Sequence, residues 1–295
     1  MAVKGPTAGS LLVIRRGRIA AERYYNGATR RDLFELHSAT KSFTSALIGI
    51  ALQGSYLNSV DQPITALLPE AARDPARRLR EIRLRHLLSM TSGFRWDPLR
   101  PSAGEGSDWV AFVLSLPIAT PPGDQFTYNG GNSTLLSAVI SEASGLRAEE
   151  LARKCLFKPL GIRRYEWASD PEGNTIGAYG LRLTARDFAK LGYLYLRGGI
   201  WNERRLLSAD YLRDSLSPAS RGGFPEFRPY GFHWWLANVQ GRRAFYAAGY
   251  GNQYLYVVPS LDLVVVTTAE PVPPALPPPE LRDVIEDVIV RAVRE

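Results

Sequence analysis

The chain is strand-like at both ends and helical in between, and this distribution restricts its fold more than any other feature. Near the start, Leu11–Arg16 and Ile19–Tyr25 are apolar-rich runs around Gly17, the pattern of a β-hairpin. After Pro229 come four more β-rich runs with turn residues between them: Phe232–Ala237, Arg243–Ala248, Tyr254–Val258 and Leu263–Thr268. From about Asn58 to Phe224 the pattern is short and helical, broken by Gly and Pro. The economical solution joins the terminal strands into one sheet. The expectation is an α+β fold, an α/β/α sandwich. Its antiparallel sheet is built from both chain ends (1–57 and 225–295) and flanked by helices. A mostly helical lobe (58–224) is inserted, and the site lies in the cleft between the lobes.

Three helices stand out. The first runs from about Ser38 to Leu52. Phe43, Ala46, Leu47, Ile50 and Ala51 recur at helical spacing, and Ile48 and Leu52 widen the face until it is apolar nearly all round, which predicts burial. Gly54 is its stop. The second is Thr184–Gly198, with Thr184 as N-cap and Phe188, Leu191, Leu194 and Tyr195 as its stripe. The third is Glu280–Arg294, with Leu281, Val284, Ile285, Val288, Ile289 and Ala292 as one stripe for a sheet. Pro271–Pro279 before it reads as a spacer.

At 295 residues the chain fits one large domain or two interleaved lobes. No apolar run approaches the ~20 residues of a membrane span. The first residues lack the apolar run of a secretory signal, so a cytoplasmic location is expected. With Cys155 alone, no internal disulfide or cysteine metal framework can form, and His37, His86 and His233 lack ligand spacing; no metal and no cofactor are expected. The net charge of +7 raises nucleic-acid binding. The densest basic stretch, Arg73 to Arg85, contains Asp74 and Glu81 and has no aromatic interleaving. It reads as a solvated face, with no nucleic-acid partner. A small-molecule substrate and a monomer or homodimer are expected.

Of 36 basic residues only five are lysine, so arginine serves wherever a plain cation suffices. Yet Lys41 stands in His37-Ser38-Ala39-Thr40-Lys41-Ser42-Phe43, where the buried helix begins. Arginine keeps its proton, whereas lysine loses it when burial and the positive helix end disfavour the ammonium. Ser38, three residues earlier, shares its helix face. A hydroxyl beside a neutral amine is an activated nucleophile, and the free N–H groups of a first turn stabilise developing negative charge. The same tetrad also describes a capping serine beside a snorkelling lysine.

Two further features bear on the choice. Pro121 to Asn132 holds Tyr128 on a Gly/Asn loop entering a helix; alone, this equally describes a packed tyrosine. Tyr246 to Gln253 places Gly249 between two strands, open to close approach of a substrate or simply forming a turn. No Gly-x-Ser-x-Gly occurs, which argues against a nucleophile elbow. His37 adjoins Ser38 and points elsewhere, His86 reads as structural, His233 as packed beside Trp234 and Trp235, and Cys155 as a buried, inert thiol.

Ser38-Ala-Thr-Lys41, then Tyr128, then Gly249, in this order, resembles the penicillin-recognising serine hydrolases, the serine β-lactamase/DD-peptidase-like superfamily. Arg85–Gly93, Tyr128–Ser137, Lys158–Ile162 and Leu181–Asp187 are also similar to phrases of that superfamily. Within it the chain looks most like class C β-lactamase-related proteins, family VIII carboxylesterases and 6-aminohexanoate-dimer hydrolases, over about Leu11 to Val290. The resemblance implies Ser38 as nucleophile, Lys41 as base, Tyr128 as proton relay, and the N–H groups of Ser38 and Tyr250 as the oxyanion hole. Asn129, Gly130, Asn132 and Gly249 are the candidate substrate-binding residues, and Trp96 and Tyr179 join them as aromatic surface. The implied activity is an acyl-enzyme hydrolase of small esters or linear amides. A β-lactamase or D-amino-acid peptidase-like hydrolase is the alternative, and a non-catalytic binding relative the alternative of another class. Three departures matter. Tyr128-Asn129-Gly130 lacks the second polar side chain of the family's Tyr-x-Asn motif, for which Asn129 or Asn132 are candidates. Ala247-Ala248-Gly249 lacks the cation that grips a β-lactam carboxylate. The helix that usually precedes the first strand is short or absent, which leaves one flank of the sheet open.

Overall fold

The computed structural model describes residues 7–74, 78–97, 104, 106–270 and 281–293. The N-terminal hairpin is β1 (Thr7–Arg15) and β2 (Arg18–Tyr24). A small three-stranded sheet joins β3 (Phe34–Glu35), β4 (Glu166–Trp167) and β5 (Leu181–Leu183), and β6 (Ile200–Trp201) pairs with β7 (Arg204–Arg205). The remaining strands are β8 (Ser220–Gly223), β9 (Arg228–Tyr230), β10 (Trp235–Val239), β11 (Arg242–Gly249), β12 (Gln253–Val258) and β13 (Leu263–Glu270). The main sheet is antiparallel, in the order β2-β1-β13-β12-β11-β10-β9-β8. It therefore joins both chain ends, and it reaches back to Ser220, on the helical side of the boundary drawn from composition. The β2 edge is largely exposed. The run expected from Phe232 becomes a strand only at Trp235. His233 takes a left-handed φ of 59°, and the Gly231 N–H bonds the Trp234 carbonyl, so the chain turns there first.

The strand alternation sorts side chains into two cores. Leu12, Phe245, Leu255, Val257, Val264 and Val266 face one side of the sheet, and Val13, Tyr246, Tyr254, Tyr256, Leu263 and Val265 face the other. A sheet covered on both faces requires this double apolar set.

Between the strands lie α1 (Thr40–Gln53), α2 (Pro69–Ala72), α3 (Leu84–Leu88), α4 (Trp109–Ser115), α5 (Gly130–Ser144), α6 (Ala148–Ala152), α7 (Lys158–Leu160), α8 (Ala185–Leu196) and α9 (Ala209–Ser215). Every residue of α1 from Thr40 to Ala51 is buried, as its all-round apolar pattern predicts. Each fully buried Leu or Ile contributes about 1.5–3 kcal/mol. Helix α8 lies against β1, β12 and β13, capped by Thr184, whose side chain accepts from the Asp187 N–H.

On the opposite face runs the C-terminal helix, α10 (Leu281–Asp283) and α11 (Val290–Ala292) joined by a π-helical stretch, Val284–Ile289. The expected stripe holds only in part, with Leu281 and Ile289 packed beside Ile285 on the sheet. Ile285 and Val290 are buried, whereas Val288 is 60% exposed and Val284 39%. The wider π turn brings residues five apart onto one face, which a 3.6-residue period does not anticipate. Residues 271–279, read as a spacer, lie outside the described residues. Cys155 is half-buried in a π-helical turn rather than fully enclosed. Within the basic stretch, Arg78 pairs with Asp74 and Arg85 with Asp61. Among the described residues, no helix is long and apolar enough to cross a membrane.

Candidate active site

The peptide after β3 turns through a 3₁₀ segment, His37–Ala39, directly into α1. His37 holds a left-handed φ of 46°, sparsely populated for a non-glycine residue, and so redirects the chain at Ser38. Ser38 does not cap the helix: Ala39 is the N-cap, and no side chain bonds the cap N–H groups. Instead its Oγ accepts from Lys41 Nζ at 3.0 Å. Lys41 is only 3% exposed, so the surface-lysine reading is excluded. Its Nζ also donates to the Ala178 carbonyl at 2.9 Å and lies 4.9 Å from the centre of the Tyr128 ring. Burial pulls its pKa from 10.5 down to about 7. No carboxylate contributes to that shift, so nothing offsets the desolvation of the ammonium.

Tyr128 ends the loop before α5. The Thr127 N–H bonds the Met90 carbonyl at 2.8 Å, and the Asn129 side chain caps α5 by accepting from the Gly131 N–H at 2.7 Å. The tyrosine ring stacks on Trp235, with centroids 5.8 Å apart, and meets Tyr230 edge-on. Burial pushes its phenol above the usual pKa, against a smaller opposing effect of the nearby Ser38 side chain, so it stays protonated. Ser38 thus sits between an amine and a phenol, both held by packed elements.

Gly249 lies where β11 passes the serine turn: a Cβ there would collide with the Leu36 carbonyl oxygen and crowd the Ala39 N–H. Glycine is needed for this approach. The next residue, Tyr250, is 62% exposed, and its ring meets His37 edge-on at 5.8 Å. His37 faces Glu35 at 3.5 Å. Gly130 opens α5. Trp96 lies against Gly131, and Tyr179 sits beside Trp109, with centroids 6.4 Å apart.

Asn129 and Asn132 do not take the place of the missing motif side chain. Asn129 is wholly buried as the α5 cap, while Asn132 accepts from Ser92 Oγ at 2.7 Å and donates to Met90 Sδ. Their geometry is fixed by α5 packing, and the acceptor that reaches Lys41 is the Ala178 main chain. Sequence reasoning missed Ala178, and no residue type could have signalled it, because every residue carries a carbonyl. His233 is buried, with Nε2 3.0 Å from Ser133 Oγ, and burial lowers its pKa to about 3. His86 Nδ1 accepts from the Arg83 N–H at the start of α3, as a structural histidine does. Among the described residues, no group of His, Cys, Asp and Glu could hold a metal ion.

The chain as a whole is similar to several known proteins. A 6-aminohexanoate-dimer hydrolase of Paenarthrobacter ureafaciens is 24% identical over 283 residues, covering 87% of this chain and 71% of that protein. A beta-lactamase of Escherichia coli K12 is 27% identical over 208 residues, 63% of this chain and 54% of that one. A penicillin binding protein of Bacillus halodurans superposes with a TM-score of 0.73 at 20% identity, covering 97% and 96% of the two chains. EstCE1, a hydrolase with promiscuous acyltransferase activity, superposes with a TM-score of 0.71 at 16% identity, covering 90% and 88%. Those likenesses establish the shared fold. The sequence profile of the beta-lactamase family matches residues 4–288, and with nearly the whole length accounted for, this chain belongs to that family of hydrolases.

Proposed function

We propose that the protein is a serine hydrolase that forms an acyl-enzyme on Ser38, acting on small esters or linear amides of the 6-aminohexanoate-oligomer kind. The observation that carries this reading is the buried Lys41 amine, 3.0 Å from Ser38 Oγ with no carboxylate to keep it charged. Near neutral pH a large share of Lys41 is the free base. It takes the Ser38 proton as Oγ bonds to the substrate carbonyl carbon. The carbonyl π electrons move to oxygen, which the N–H groups of Ser38 and Tyr250 receive; among the described residues the Tyr250 N–H has no main-chain acceptor. As the oxyanion collapses, the bond to the leaving group breaks, Tyr128 passes a proton to the departing oxygen or nitrogen, and the proton held on Lys41 replaces it on the phenol. Water then attacks the acyl-enzyme by the reverse relay, releasing the acid and restoring Ser38.

The cleft between the inserted lobe (58–224) and the sheet lobe would admit the substrate, with Trp96 and Tyr179 as apolar wall. Ala247 and Ala248 supply no cation for a β-lactam carboxylate, which favours esters and amides.

The test is mass spectrometry after treatment with a fluorophosphonate. One adduct at Ser38 is expected, absent in Ser38→Ala, together with p-nitrophenyl ester hydrolysis well above nitrocefin hydrolysis. An unlabelled but folded protein would refute the catalytic reading and leave a binding module; faster nitrocefin turnover would refute the substrate class.

A further inference from the structure

Main-chain carbonyls of the segment between Asn174 and Tyr179 engage side chains from three elements. Four consecutive ones each accept a side-chain hydrogen bond: Thr175 from Ser137 Oγ (2.6 Å), Ile176 from Trp167 Nε1 (2.8 Å), Gly177 from Thr44 Oγ1 (2.8 Å) and Ala178 from Lys41 Nζ (2.9 Å). The donors come from α5, β4 and α1. Thr44, Ser137, Thr175 and Ala178 are all buried. The segment lies so close to α5 that a Cβ at Gly177 would collide with the Ser133 carbonyl oxygen. Thr44 follows Lys41 by three residues and so shares its helix face, and the two side chains reach successive carbonyls of the segment.

We propose that this strap locates the Lys41 amine and that Thr44 is a positioning residue for the proposed general base. The inference rests on the reading of Ser38 and Lys41 given above. A neutral amine has two N–H bonds and one lone pair. Nζ donates to both the Ala178 carbonyl and Ser38 Oγ; in the neutral amine, an N–H kept on Ala178 leaves the lone pair free to turn to the Ser38 hydroxyl 3.0 Å away. The family motif assigns such a hold to a side chain that Gly130 lacks; here a main-chain oxygen supplies it. A carbonyl is only as well placed as its neighbouring peptide planes, and Thr44 fixes the adjacent one. Without that hydroxyl, the buried Gly177 oxygen seeks water or a new partner, and the next peptide turns with it. Tyr128 and His233 are the titratable groups that face Lys41.

Thr44→Val keeps the shape and removes the donor. Its kcat on p-nitrophenyl acetate should fall about 10- to 100-fold, with KM changed less than about threefold, as expected for a misdirected reacting group. In lysine-¹³Cε NMR, with Lys41 assigned through Lys41→Arg, its titration midpoint should move up by about half a unit or more as water reaches the amine. Thr44→Ser should restore both. Ser137→Ala, which frees the Thr175 carbonyl three residues along the strap from Ala178, should reduce kcat by a smaller factor and carries the test if Thr44→Val does not fold. Wild-type kcat and midpoint in Thr44→Val overturn the proposal. So does a rate loss that only follows the unfolded fraction with the midpoint unmoved, or, where Thr44→Val does not fold, wild-type kcat in Ser137→Ala. The catalytic reading fails separately, if wild-type protein takes no label at Ser38.

Discussion

Two regions of this molecule draw cations wholly or partly out of water, and they treat them in opposite ways. Under the C-terminal helix, Arg228 donates to Glu286 at 2.9 Å and Arg282 pairs with Glu226. The same two carboxylates accept the hydroxyls of Tyr256 (2.9 Å) and Tyr246 (3.0 Å). On the other side of the sheet, Lys41 is buried with a hydroxyl, a carbonyl and an aromatic face but no carboxylate. The first region keeps its charges because each is paired and hydrogen-bonded; it docks a helix. In the second, burial without a counter-charge lowers the lysine pKa to about 7, as the proposed general base requires. Arginine in one place and lysine in the other follows from this difference, since only lysine titrates within reach.

The largest effect should come from moving the first region's cation into the second. Lys41→Arg keeps the charge and removes the base, so fluorophosphonate labelling of Ser38 should slow by ~10³-fold. Labelling within tenfold of wild type would show that Lys41 acts only as a charge.

Next is the energetic cost of the unpaired lysine. The folded pKa of about 7 lies below the ordinary 10.5. Between those values the unfolded chain binds a proton that the folded protein does not, so stability climbs as pH rises from about 7 to 10.5 and is lowest below 7. Activity should likewise rise through about pH 7. Lys41→Met, inactive but uncharged, should be more stable than wild type by a few kcal/mol at pH 6. That advantage should shrink towards pH 10.5. Chemical denaturation at both pH values checks it, and equal stability at pH 6 would mean the ammonium is solvated in the folded state.

Glu286→Gln probes the paired region. Arg228 loses its counter-charge, and about 2 kcal/mol of stability should go, read as a lower urea midpoint at constant slope. Ser38 labelling should not change; a slower rate would couple the two regions. The smallest effect belongs to the partly exposed pair Arg186–Glu22, at 2.6 Å. The Arg186 hydrogen bond is the main cause holding Glu22 down at about 2. Its contribution is therefore full above about pH 4.5 and is lost as pH falls towards 2. Glu22→Gln should cost under about 1 kcal/mol at neutral pH, and the difference should vanish in acid.

Several features of this design are legible without coordinates. The alternation in Tyr254–Val258 and Leu263–Thr268 fixes two-faced burial, because side chains leave a strand on opposite sides. The apolar surround of Thr40–Gln53 fixes the burial of α1, and with it Lys41. The three-residue spacing from Ser38 brings hydroxyl and amine together, even through a 3₁₀ turn. Other features follow from packing that no local pattern records. The C-terminal helix widens into a π turn to place Ile285 and Val290 on the sheet, and Val288 is turned outward. Asn132 is taken up by Ser92 and Met90 rather than by the lysine.

The sequence by itself determined the sheet from both chain ends, the buried first helix, and the hydroxyl and amine one turn apart, since each depends on bond geometry and hydrophobic period over a few neighbouring residues. Only the tertiary structure decided that the lysine meets no carboxylate, that the Ala178 carbonyl holds it, and that the Tyr128 ring borders it. Those partners lie up to 137 residues away, and one of them is a peptide oxygen, identical at every position until the fold selects it.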